Sequence, residues 1–486
     1  METGKKAVGE AEAVRKFAGL ASDSRDVRPG FLFAAVPGVK ADGAAFVKDA
    51  VTRGATAVLG QPQIAPIAAE LGVAFIPAEN PRIALARYAS AFYGAQPSIV
   101  AAVTGTNGKT SITVFLREIW THLGRRAASM GTIGVVAPGE TIKLNHTTPG
   151  PIELHRLLAD LQQKGIEHLS LEASSHGLDQ FRLVGTDIAA VAFTNITRDH
   201  MDYHPTFEAY LACKLRLFRE LARDGAVAVV NADTDHAAPF VEAAGQRRLK
   251  LITVGEEGEG LKLVSRLPTA AGQALQVAHA GRTHAVTLPL AGAFQSSNAL
   301  VAAGLAIGLG ENADAVFDAL GHLRGAPGRL EKVAYSKSGA PVFVDYAHTP
   351  DALENVLAAL RPHTAGRLVV VFGCGGDRDK GKRPLMGAAA ARLADRVIVT
   401  DDNPRSEEAA AIRAEVLAGT PGADEIGDRS EAVRAAISGL EAGDVLVVAG
   451  KGHESGQIVG DTIHPFSDRD VAIREAIALG GREHTA

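Results

Sequence analysis

One stretch of this chain, residues 99–122, restricts the fold more than any other, because it predicts a strand, a phosphate-binding loop and a helix in succession. Residues 99–103 form a short apolar run rich in β-branched side chains, which is typical of a buried parallel strand. The loop Gly-Thr-Asn-Gly-Lys-Thr follows at 105–110, and its glycines let successive backbone N–H groups converge on phosphate oxygens. Residues 111–122 then predict a helix whose N-terminus favours an anion. The stretch therefore predicts an α/β sheet with a phosphate site.

This loop departs in one place from the usual phosphate-loop pattern. Val103 stands where a glycine is expected five residues before Gly108. Lys109 is suited to place a positive charge on the β- and γ-phosphates, and the Thr110 hydroxyl is suited to bind Mg²⁺. The alternative is a glycine-rich turn with an incidental lysine. The agreement of strand, loop, Lys-Thr pair and helix favours an unusual phosphate loop.

Bulk properties exclude several classes of protein. A length of 486 residues predicts about three domains. The formal net charge of −5 argues against a dedicated nucleic-acid surface. Because no apolar run approaches the roughly 18 residues of a membrane helix, and the N-terminus lacks an apolar core, we expect a cytoplasmic protein. The two cysteines, Cys213 and Cys374, cannot build a disulfide framework or a Cys-x-x-Cys metal site.

Apolar runs typical of strands alternate with helical stretches along most of the chain, which favours βαβ units and a parallel sheet. A compact α/β pattern over about residues 20–95 includes a helical stretch at 43–53 and leads into a linker at 94–98. Residues 261–290 have the short alternating runs of antiparallel strands. Other predicted strands lie at 31–36, 55–60, 168–173, 187–196, 225–232, 342–346, 367–376, 396–402 and 444–452.

Two clusters after predicted strands offer metal ligands. Glu172 follows one strand, where a carboxylate can bind Mg²⁺ or simply face solvent. The next cluster, Asp199, His200, Asp202 and His204, offers oxygen and imidazole ligands in one loop, although a lone loop histidine is more often a surface residue. Its spacing does not fit zinc. Further on, residues 211–218 predict an amphipathic helix whose Lys214 needs no role beyond solvation.

Three charged residues in the last third of the chain follow three consecutive strands. Arg378, Arg405 and Glu454 are expected to meet at one edge of a parallel sheet, where ligands bind in open α/β folds. Two guanidinium groups beside a carboxylate suit a zwitterionic amino acid, because arginine pairs with carboxylates and glutamate binds an ammonium. The alternative is three separately solvated surface charges.

The order of these motifs resembles that of the Mur ligases, and more narrowly the type that adds diaminopimelate. GTNGKT alone also fits folylpolyglutamate synthases and cyanophycin-type ligases, but DNPR (402–405) together with GKGHE (450–454) is much narrower. The motifs span nearly the whole chain, in this order: GTNGKT, EASSHGL, TNITRDHMDYH, ACKLRLF, PGRLE, DYAHTP, GDRDKGKRP, DNPR and GKGHE. The resemblance implies three domains: an N-terminal domain for the UDP end of the substrate (1–97), a central ATPase with a mostly parallel sheet (98–331), and a C-terminal Rossmann-like domain for the amino acid (332–486).

The resemblance also implies site residues at the positions that match the motifs. Catalytic roles are implied for Lys109, Glu172, His200 and Lys214. Nucleotide contacts are implied for Gly105, Thr106, Asn107, Gly108, Lys109, Thr110, Ser111, Asn298, Arg329 and Asp345. Metal contacts are implied for Thr110, Glu172, His200 and Lys214, and the family's lysine is carbamylated. Substrate contacts are implied for Ser24 at the uridine, for Thr147, Thr148, Ser174, Gln180 and Arg182 at the muramoyl peptide, and for Arg378, Asp402, Asn403, Pro404, Arg405, Gly450 and Glu454 at the amino acid. Gln295 and Ala293 depart from the family's usual residues near the adenine.

The implied reaction is an ATP-dependent ligation in peptidoglycan synthesis, and thus in cell-wall biogenesis, cell shape and division. Meso-2,6-diaminopimelate is added to UDP-N-acetylmuramoyl-L-alanyl-D-glutamate through an acyl-phosphate, with ATP and Mg²⁺, by a monomer that binds neither nucleic acid nor membrane. Diaminopimelate differs from lysine by a carboxylate at its far end, which Arg405 can pair with, so discrimination of about 10³-fold is expected. A folylpolyglutamate synthase and a phosphate-loop switch protein are the alternatives, and neither has a reason to carry DNPR.

Overall fold

Two compact units make up the chain in the computed structural model, which describes residues 14, 16–38, 42–197, 203–269 and 272–484. The first unit runs up to Val254 and also includes Gly304–Glu311, and the second comprises Gly255–Ala303 and Asn312 onward. Within the described ranges, no helix has both the length and the apolar character needed to cross a bilayer.

The first unit begins with a small parallel sheet of four strands in the order β1-β2-β3-β4. Its two faces are covered by separate apolar clusters, one of which includes Leu32 and Leu59, and the other Phe33 and Val58. These residues alternate along β2 and β3, as expected for strands with both faces buried. The elements are β1 (Gly19–Ala21), β2 (Phe31–Ala34), α1 (Val47–Thr52), β3 (Ala55–Gly60), α2 (Ala65–Glu70), β4 (Ala74–Pro77) and α3 (Pro81–Tyr93), with 3₁₀ turns at Ser24–Asp26, Gly43–Phe46 and Pro62–Ile64.

The first unit also holds the larger sheet that carries the phosphate loop. Its strands lie in the order β12-β11-β10-β5-β9-β6-β7-β8, parallel from β12 to β6 and antiparallel at β7 and β8. The elements are β5 (Ile99–Thr104), α4 (Lys109–His122), β6 (Ala127–Gly131), β7 (Gly134–Ala137), β8 (Glu140–Ile142), α5 (Pro151–Gln163), β9 (His168–Glu172), α6 (Ser175–Asp179), β10 (Ile188–Phe193), α7 (Phe207–Arg216), a π-helical turn (Leu217–Leu221), β11 (Ala222–Asn231), α8 (Ala238–Gln246) and β12 (Lys250–Gly255).

The central strands of this sheet are β5, β9 and β10. Their residues are buried almost throughout, which explains why their sequences are nearly continuous apolar runs. Because all three are parallel, their carboxyl ends meet at one edge. That edge receives the phosphate loop after β5, Glu172 at the end of β9, and Thr194 and Asn195 after β10.

The second unit contains an antiparallel sheet in the order β15-β14-β13, made of β13 (Leu261–Thr269), β14 (Gly272–His279) and β15 (Arg282–Leu288). The strands confirm the antiparallel character predicted for residues 261–290. Helices α9 (Ala293–Gly308) and α10 (Ala313–Leu320) follow in the chain.

The second unit also contains a seven-stranded sheet in the order β20-β19-β18-β21-β17-β16-β24, parallel from β20 to β17 and antiparallel at β16 and β24. A separate hairpin, β22 with β23, follows β21 in the chain. The elements are β16 (Glu331–Tyr335), β17 (Pro341–Asp345), α11 (Pro350–Leu360), a 3₁₀ turn (Arg361–His363), β18 (Leu368–Phe372), α12 (Lys382–Leu393), β19 (Arg396–Val399), α13 (Ala409–Leu417), β20 (Asp424–Glu425), α14 (Arg429–Ser438), β21 (Val445–Ala449), β22 (Gly456–Val459), β23 (Thr462–Pro465), α15 (Asp468–Ala478) and β24 (Arg482–Glu483).

The predicted α/β class with mostly parallel sheets is confirmed, and element bounds differ in places. The helix predicted from residue 111 begins at Lys109, because the left-handed Gly108 before it (φ 87°) lets the loop turn directly into the helix. The helix predicted at 43–53 is a 3₁₀ turn followed by α1, which ends at Thr52. The predicted domain boundaries at residues 97 and 331 stay predictions.

Candidate active site

The phosphate loop is fixed by the segment that follows β10. A Cβ on Gly105 (φ 147°) would lie 1.9 Å from the Thr194 hydroxyl oxygen, so no other residue fits there without a shift. The Asn195 carbonyl accepts from the Thr106 N–H over 2.9 Å, and its side-chain oxygen accepts from the Asn107 N–H over 3.0 Å. The Thr194 hydroxyl in turn donates to the Asn107 carbonyl over 2.6 Å. The loop is therefore held by both residues of this segment, Thr194 and Asn195.

Two lysines meet at one carbonyl oxygen of this loop. Lys109 Nζ donates to the carbonyl of Gly105 over 2.9 Å and to that of Thr106 over 2.7 Å. Lys214 Nζ, with the residue only 1% exposed, donates to the same Gly105 carbonyl over 2.7 Å and lies 4.4 Å from the ring centre of Tyr210. The ring face attracts the ammonium. The structure therefore joins Lys214, on α7, to the loop that is suited to hold phosphates.

A buried carboxylate lies beside the first turn of α4. Glu172 Oε1 accepts from the Thr110 hydroxyl over 2.9 Å and from the Thr132 N–H over 2.8 Å. The second oxygen accepts from the Thr132 hydroxyl over 3.2 Å. The residue is 2% exposed. A hydroxyl and a carboxylate at this spacing are hard oxygen donors, so the pair fits Mg²⁺ bound through one or two protein oxygens and substrate phosphates.

The predicted muramoyl-peptide residues form one hydrogen-bonded cluster. The Thr148 and Ser174 hydroxyl oxygens lie 2.9 Å apart, and the Thr148 hydroxyl donates to the Glu172 carbonyl over 2.8 Å. Thr147 lies 3.1 Å from Thr132, hydroxyl to hydroxyl. Arg182 donates to the Thr148 carbonyl over 2.6 Å. The cluster is thus continuous with the carboxylate of Glu172.

Gln180 and Arg182 are held by partners that the sequence interpretation did not single out. Arg182 donates to Gln180 Oε1 over 2.8 Å, so the amide nitrogen of Gln180 is left to donate to the Tyr203 hydroxyl over 3.2 Å. The Tyr203 hydroxyl donates to Asp179 over 2.6 Å. Burial, followed by the bond to Asp179, raises the pKa of Tyr203, which keeps this hydroxyl a donor.

Two predicted sites in the first unit have no geometry that tests their roles. Asp199, His200 and Asp202 lie outside the described residues, so their roles stay predictions. Ser24 is buried in a 3₁₀ turn, where its hydroxyl is hydrogen-bonded to Asp49 and lowers that residue's pKa.

In the second unit, Asp345 ends β17 with its carboxylate buried against two backbone donors. Its oxygens accept from the Leu330 N–H over 2.6 Å and from the Ala347 N–H over 2.7 Å. Burial raises its pKa to about 6, although the charge of Arg329 and the two N–H donors act in the opposite direction. Its backbone carbonyl accepts from the Gly450 N–H over 3.1 Å, which ties the ends of β17 and β21 together.

Asn298, Gln295 and Arg329 form a chain of contacts, and Arg329 also packs on a tyrosine. Asn298 donates to Gln295 Oε1 over 3.3 Å, and Gln295 donates to the Arg329 carbonyl over 3.1 Å. The Arg329 guanidinium lies over the ring of Tyr346, 4.7 Å from its centre. Gln295 is thus part of the cluster that contains two predicted nucleotide residues of this unit, Asn298 and Arg329.

The predicted amino-acid residues Asn403 and Glu454 are in contact. The amide of Asn403 donates to Glu454 Oε2 over 3.0 Å, and its own oxygen accepts from Lys451 Nζ over 2.8 Å. Neighbouring Asp402 is buried and accepts from the Gln457 side chain over 2.7 Å through its carbonyl. These contacts bring together the ends of β19 and β21 and the start of β22.

Arg405 is anchored through its backbone and its side chain. Its N–H donates to the Ile458 carbonyl over 3.0 Å, and its own carbonyl accepts from the Gly460 N–H over 2.8 Å. Arg405 makes these two bonds to the β22–β23 hairpin with its own backbone in the left-handed region (φ 53°). The guanidinium donates to the Gly376 carbonyl over 2.7 Å, in the loop that also carries the exposed Arg378. The Arg405 guanidinium is thereby fixed against the loop that carries Arg378.

Several functional candidates were missed in the sequence. Asn195 and Thr194 end a predicted strand, so their place at the sheet edge was readable from the same rule that selected Glu172. Lys451 lies at the end of the predicted strand 444–452 and so had the same signal, whereas Gln457 follows no predicted strand and its partner Asp402 is 55 positions away. The residues missed are Thr132, Thr194, Asn195, Tyr203, Tyr210, Lys451 and Gln457.

Family models match three consecutive parts of the chain. The Mur ligase family catalytic domain matches residues 16–93, the Mur ligase middle domain matches 103–306, and the Mur ligase glutamate ligase domain matches 328–452. Together these matches cover more than half of the chain.

Relatives match the chain over nearly its whole length. The UDP-N-acetylmuramoyl-L-alanyl-D-glutamate–2,6-diaminopimelate ligase of Bradyrhizobium diazoefficiens is 55% identical, with 97% of each chain covered. The protein of the same name from Caulobacter vibrioides is 54% identical, with 93% of each covered. A solved structure of a ligase with this name is 36% identical with a TM-score of 0.73 over 96% of each chain. Mycobacterium tuberculosis folylpolyglutamate synthase shares the fold, at 20% identity and a TM-score of 0.61 over 76% of this chain and 92% of its own.

Proposed function

This chain belongs to the Mur ligase family, and we propose that it joins meso-2,6-diaminopimelate to UDP-N-acetylmuramoyl-L-alanyl-D-glutamate at the expense of ATP, in peptidoglycan precursor synthesis. The names of the relatives support the two substrates. The cytoplasmic location and the monomeric state expected from the sequence stay predictions.

The observation that carries the choice of amino acid is the anchoring of Arg405 near an Asn403–Glu454 pair. Arg405 is fixed by the hairpin and by Gly376, so its guanidinium is a preorganised partner for a carboxylate. Glu454 offers a carboxylate to an ammonium. The far end of diaminopimelate carries both groups, whereas lysine carries only the ammonium. Lysine would therefore leave the guanidinium without its partner.

The reaction forms an amide in two steps. A carboxylate oxygen of the substrate's D-glutamate attacks the γ-phosphorus of ATP, and the bond to ADP breaks, which gives an acyl-phosphate. The amine of diaminopimelate then attacks the acyl carbon, phosphate leaves with the bonding electron pair, and the amine gives up a proton. Both steps depend mainly on positioning and electrostatics.

Residues of the first unit supply the charge and the geometry for the first step. The Lys109 ammonium donates to two carbonyls of the phosphate loop. It therefore lies beside the place where the loop would hold phosphates, and its positive charge would offset the negative charge on the transferred phosphoryl group. Thr110 and Glu172 fit Mg²⁺, which when bound neutralises phosphate charge. The Thr148–Ser174–Arg182 cluster is suited to orient the muramoyl peptide.

The assay that tests the proposal measures phosphate release by the purified protein. Release should require ATP, UDP-N-acetylmuramoyl-L-alanyl-D-glutamate and diaminopimelate together, and lysine should not replace diaminopimelate. Arg405→Ala should lower kcat/KM for diaminopimelate by about 10²- to 10³-fold. Arg474→Ala, which removes an exposed arginine paired with Glu475 on α15, is the matched control and should leave the kinetics unchanged. Unchanged kcat/KM in Arg405→Ala rules out the proposed substrate.

A further inference from the structure

Lys451 is a buried cation in the segment that carries Glu454, and it lies outside the predicted substrate and nucleotide contacts. Its side chain is 0% exposed. Nζ donates to Asn403 Oδ1 over 2.8 Å and to the Gly456 carbonyl over 2.9 Å. Burial lowers its pKa, and the charges of Asp402 and Glu454 oppose that shift. Because burying an ammonium group costs desolvation free energy, its burial here indicates a structural or functional role.

Lys451 and the Ile458 N–H together decide which way the amide of Asn403 faces. Asn403 Oδ1 accepts two hydrogen bonds, one from Lys451 Nζ and one from the Ile458 N–H over 2.9 Å. Since both partners are donors, the oxygen must face them, and the amide nitrogen is turned toward Glu454 Oε2 at 3.0 Å. If the amide were reversed, the Asn403 oxygen would contact the Glu454 carboxylate oxygen, and the Lys451 and Ile458 donors would face the NH₂ group.

Lys451 also acts on Glu454 directly through its charge. Nζ lies 3.5 Å from Glu454 Oε2 and 3.7 Å from Asp402 Oδ1. The Glu454 side chain is 34% exposed, so its carboxylate is held on one side by the lysine and Asn403 and is open on the other. A carboxylate fixed in this way is ready to accept a hydrogen bond from an incoming ammonium.

We infer that Lys451 is a positioning residue of the amino-acid pocket: it touches no substrate, and it orients Glu454 toward the ammonium of the amino acid both through the amide of Asn403 and through its own charge. This inference rests on the proposed function and extends it to a residue outside the substrate contacts. Removal of the lysine should therefore impair binding of the amino acid and leave binding of the nucleotide and of the UDP-linked substrate unchanged.

Steady-state kinetics of Lys451→Met test this directly. The KM for diaminopimelate should rise about tenfold or more, because one buried acceptor and one carboxylate lose their cation. kcat at saturating diaminopimelate, and the KM values for ATP and the UDP-linked substrate, should stay within about twofold of wild type. Lys337→Met, which removes an exposed lysine in a turn of the same unit, is the matched control and should change none of these values.

A double variant separates positioning from an independent contribution. Because Lys451 acts partly through Asn403, Lys451→Met combined with Asn403→Ala should raise the KM for diaminopimelate by less than the product of the two single effects. Multiplying effects would overturn the inference, as would an unchanged KM in Lys451→Met, or a fall in kcat with no change in KM. If Lys451→Met does not fold, the shorter and neutral Lys451→Gln is measured against the same criteria.

The outcome also distinguishes this inference from the proposed function. A wild-type protein that releases no phosphate with diaminopimelate contradicts the proposed function itself. A wild-type protein that uses diaminopimelate, with an unchanged KM in the folded Lys451 variants, contradicts only the positioning role.

Discussion

The hydroxyl of Thr110 donates a hydrogen bond of 2.9 Å to the buried carboxylate of Glu172. The two residues are 62 positions apart, on α4 and β9, and the parallel pairing of β5 with β9 brings them together. The pair therefore places a hydroxyl and a carboxylate beside the phosphate loop, which is the oxygen donor set that Mg²⁺ prefers.

The variant Glu172→Gln tests this donor pair. The glutamine oxygen can still accept from the Thr132 N–H, so the fold should be retained, but the negative charge is lost. The Mg²⁺ concentration for half-maximal phosphate release should rise about tenfold or more. Glu242→Gln, at an exposed residue of α8, is the matched control and should leave the Mg²⁺ dependence unchanged. An identical dependence in both variants would exclude Glu172 from the metal site.

Carbamylation of Lys214 is the second prediction. After the ammonium loses a proton, the neutral amine would attack the carbon of CO₂; an N–C bond forms, one C=O π bond opens onto oxygen, and the nitrogen releases a second proton to water. The product is a carbamate anion in place of a buried cation, and it could help to hold Mg²⁺. Lys214→Arg keeps the positive charge but cannot be modified in this way, so it should lose activity as fully as Lys214→Met, by at least about tenfold. In ¹³C-bicarbonate, the wild type should show a carbamate carbon resonance that both variants lack. Full activity in either variant would contradict the prediction.

Much of the first unit's site was predictable, because its residues follow apolar strands. The rule that polar groups at the ends of parallel strands converge selected Glu172 and the loop at 105–110, and the structure joins them. Local patterns carry this kind of information well, since each depends on one strand and the turn after it. The resemblance, rather than a local pattern, assigned Asn403 to the same pocket as Glu454, and the two side chains are in contact.

The remaining contacts could not be predicted, because they depend on pairings between distant segments. Nothing near Lys451 in the sequence indicates that its ammonium lies on Asn403, 48 positions earlier. The place of Asn195 at the sheet edge follows from the strand before it, but its hydrogen bond with Asn107 of the phosphate loop, 88 positions away, does not. The hairpin that fixes Arg405 was not predicted either, since its strands are only half-buried or exposed and lack a clear apolar alternation.

The third prediction concerns pH and Asp345. Its pKa is raised from 3.8 to about 6 by burial, so between these values the folded protein binds more protons than the unfolded chain. The free energy of unfolding contributed by this group therefore falls as the pH rises from about 4 to about 6, by about 3 kcal/mol in total, and is constant above. Asp345→Asn removes this dependence.

Thermal unfolding of both proteins across this pH range measures the effect. The unfolding midpoint of the wild type minus that of Asp345→Asn should be largest near pH 4 and should decrease until about pH 6. Parallel profiles for the two proteins would show that Asp345 does not titrate in this range.

The last prediction concerns the close approach of Gly376 to the segment that carries Arg405. A Cβ at Gly376 would lie 1.9 Å from the carbonyl oxygen of Pro404. This neighbour is backbone, so Gly376→Ala must displace residues 404–405 and the guanidinium that donates to the Gly376 carbonyl. Gly376 does not have a left-handed backbone, so the effect arises from space alone. The KM for diaminopimelate should rise about 10- to 10²-fold while the KM for ATP is unchanged. Gly245→Ala, in α8, where the added Cβ meets no atom within 4 Å beyond its chain neighbours and the adjacent helix backbone, should change neither value. If Gly376→Ala also leaves the KM for diaminopimelate unchanged, the Pro404 contact does not position Arg405.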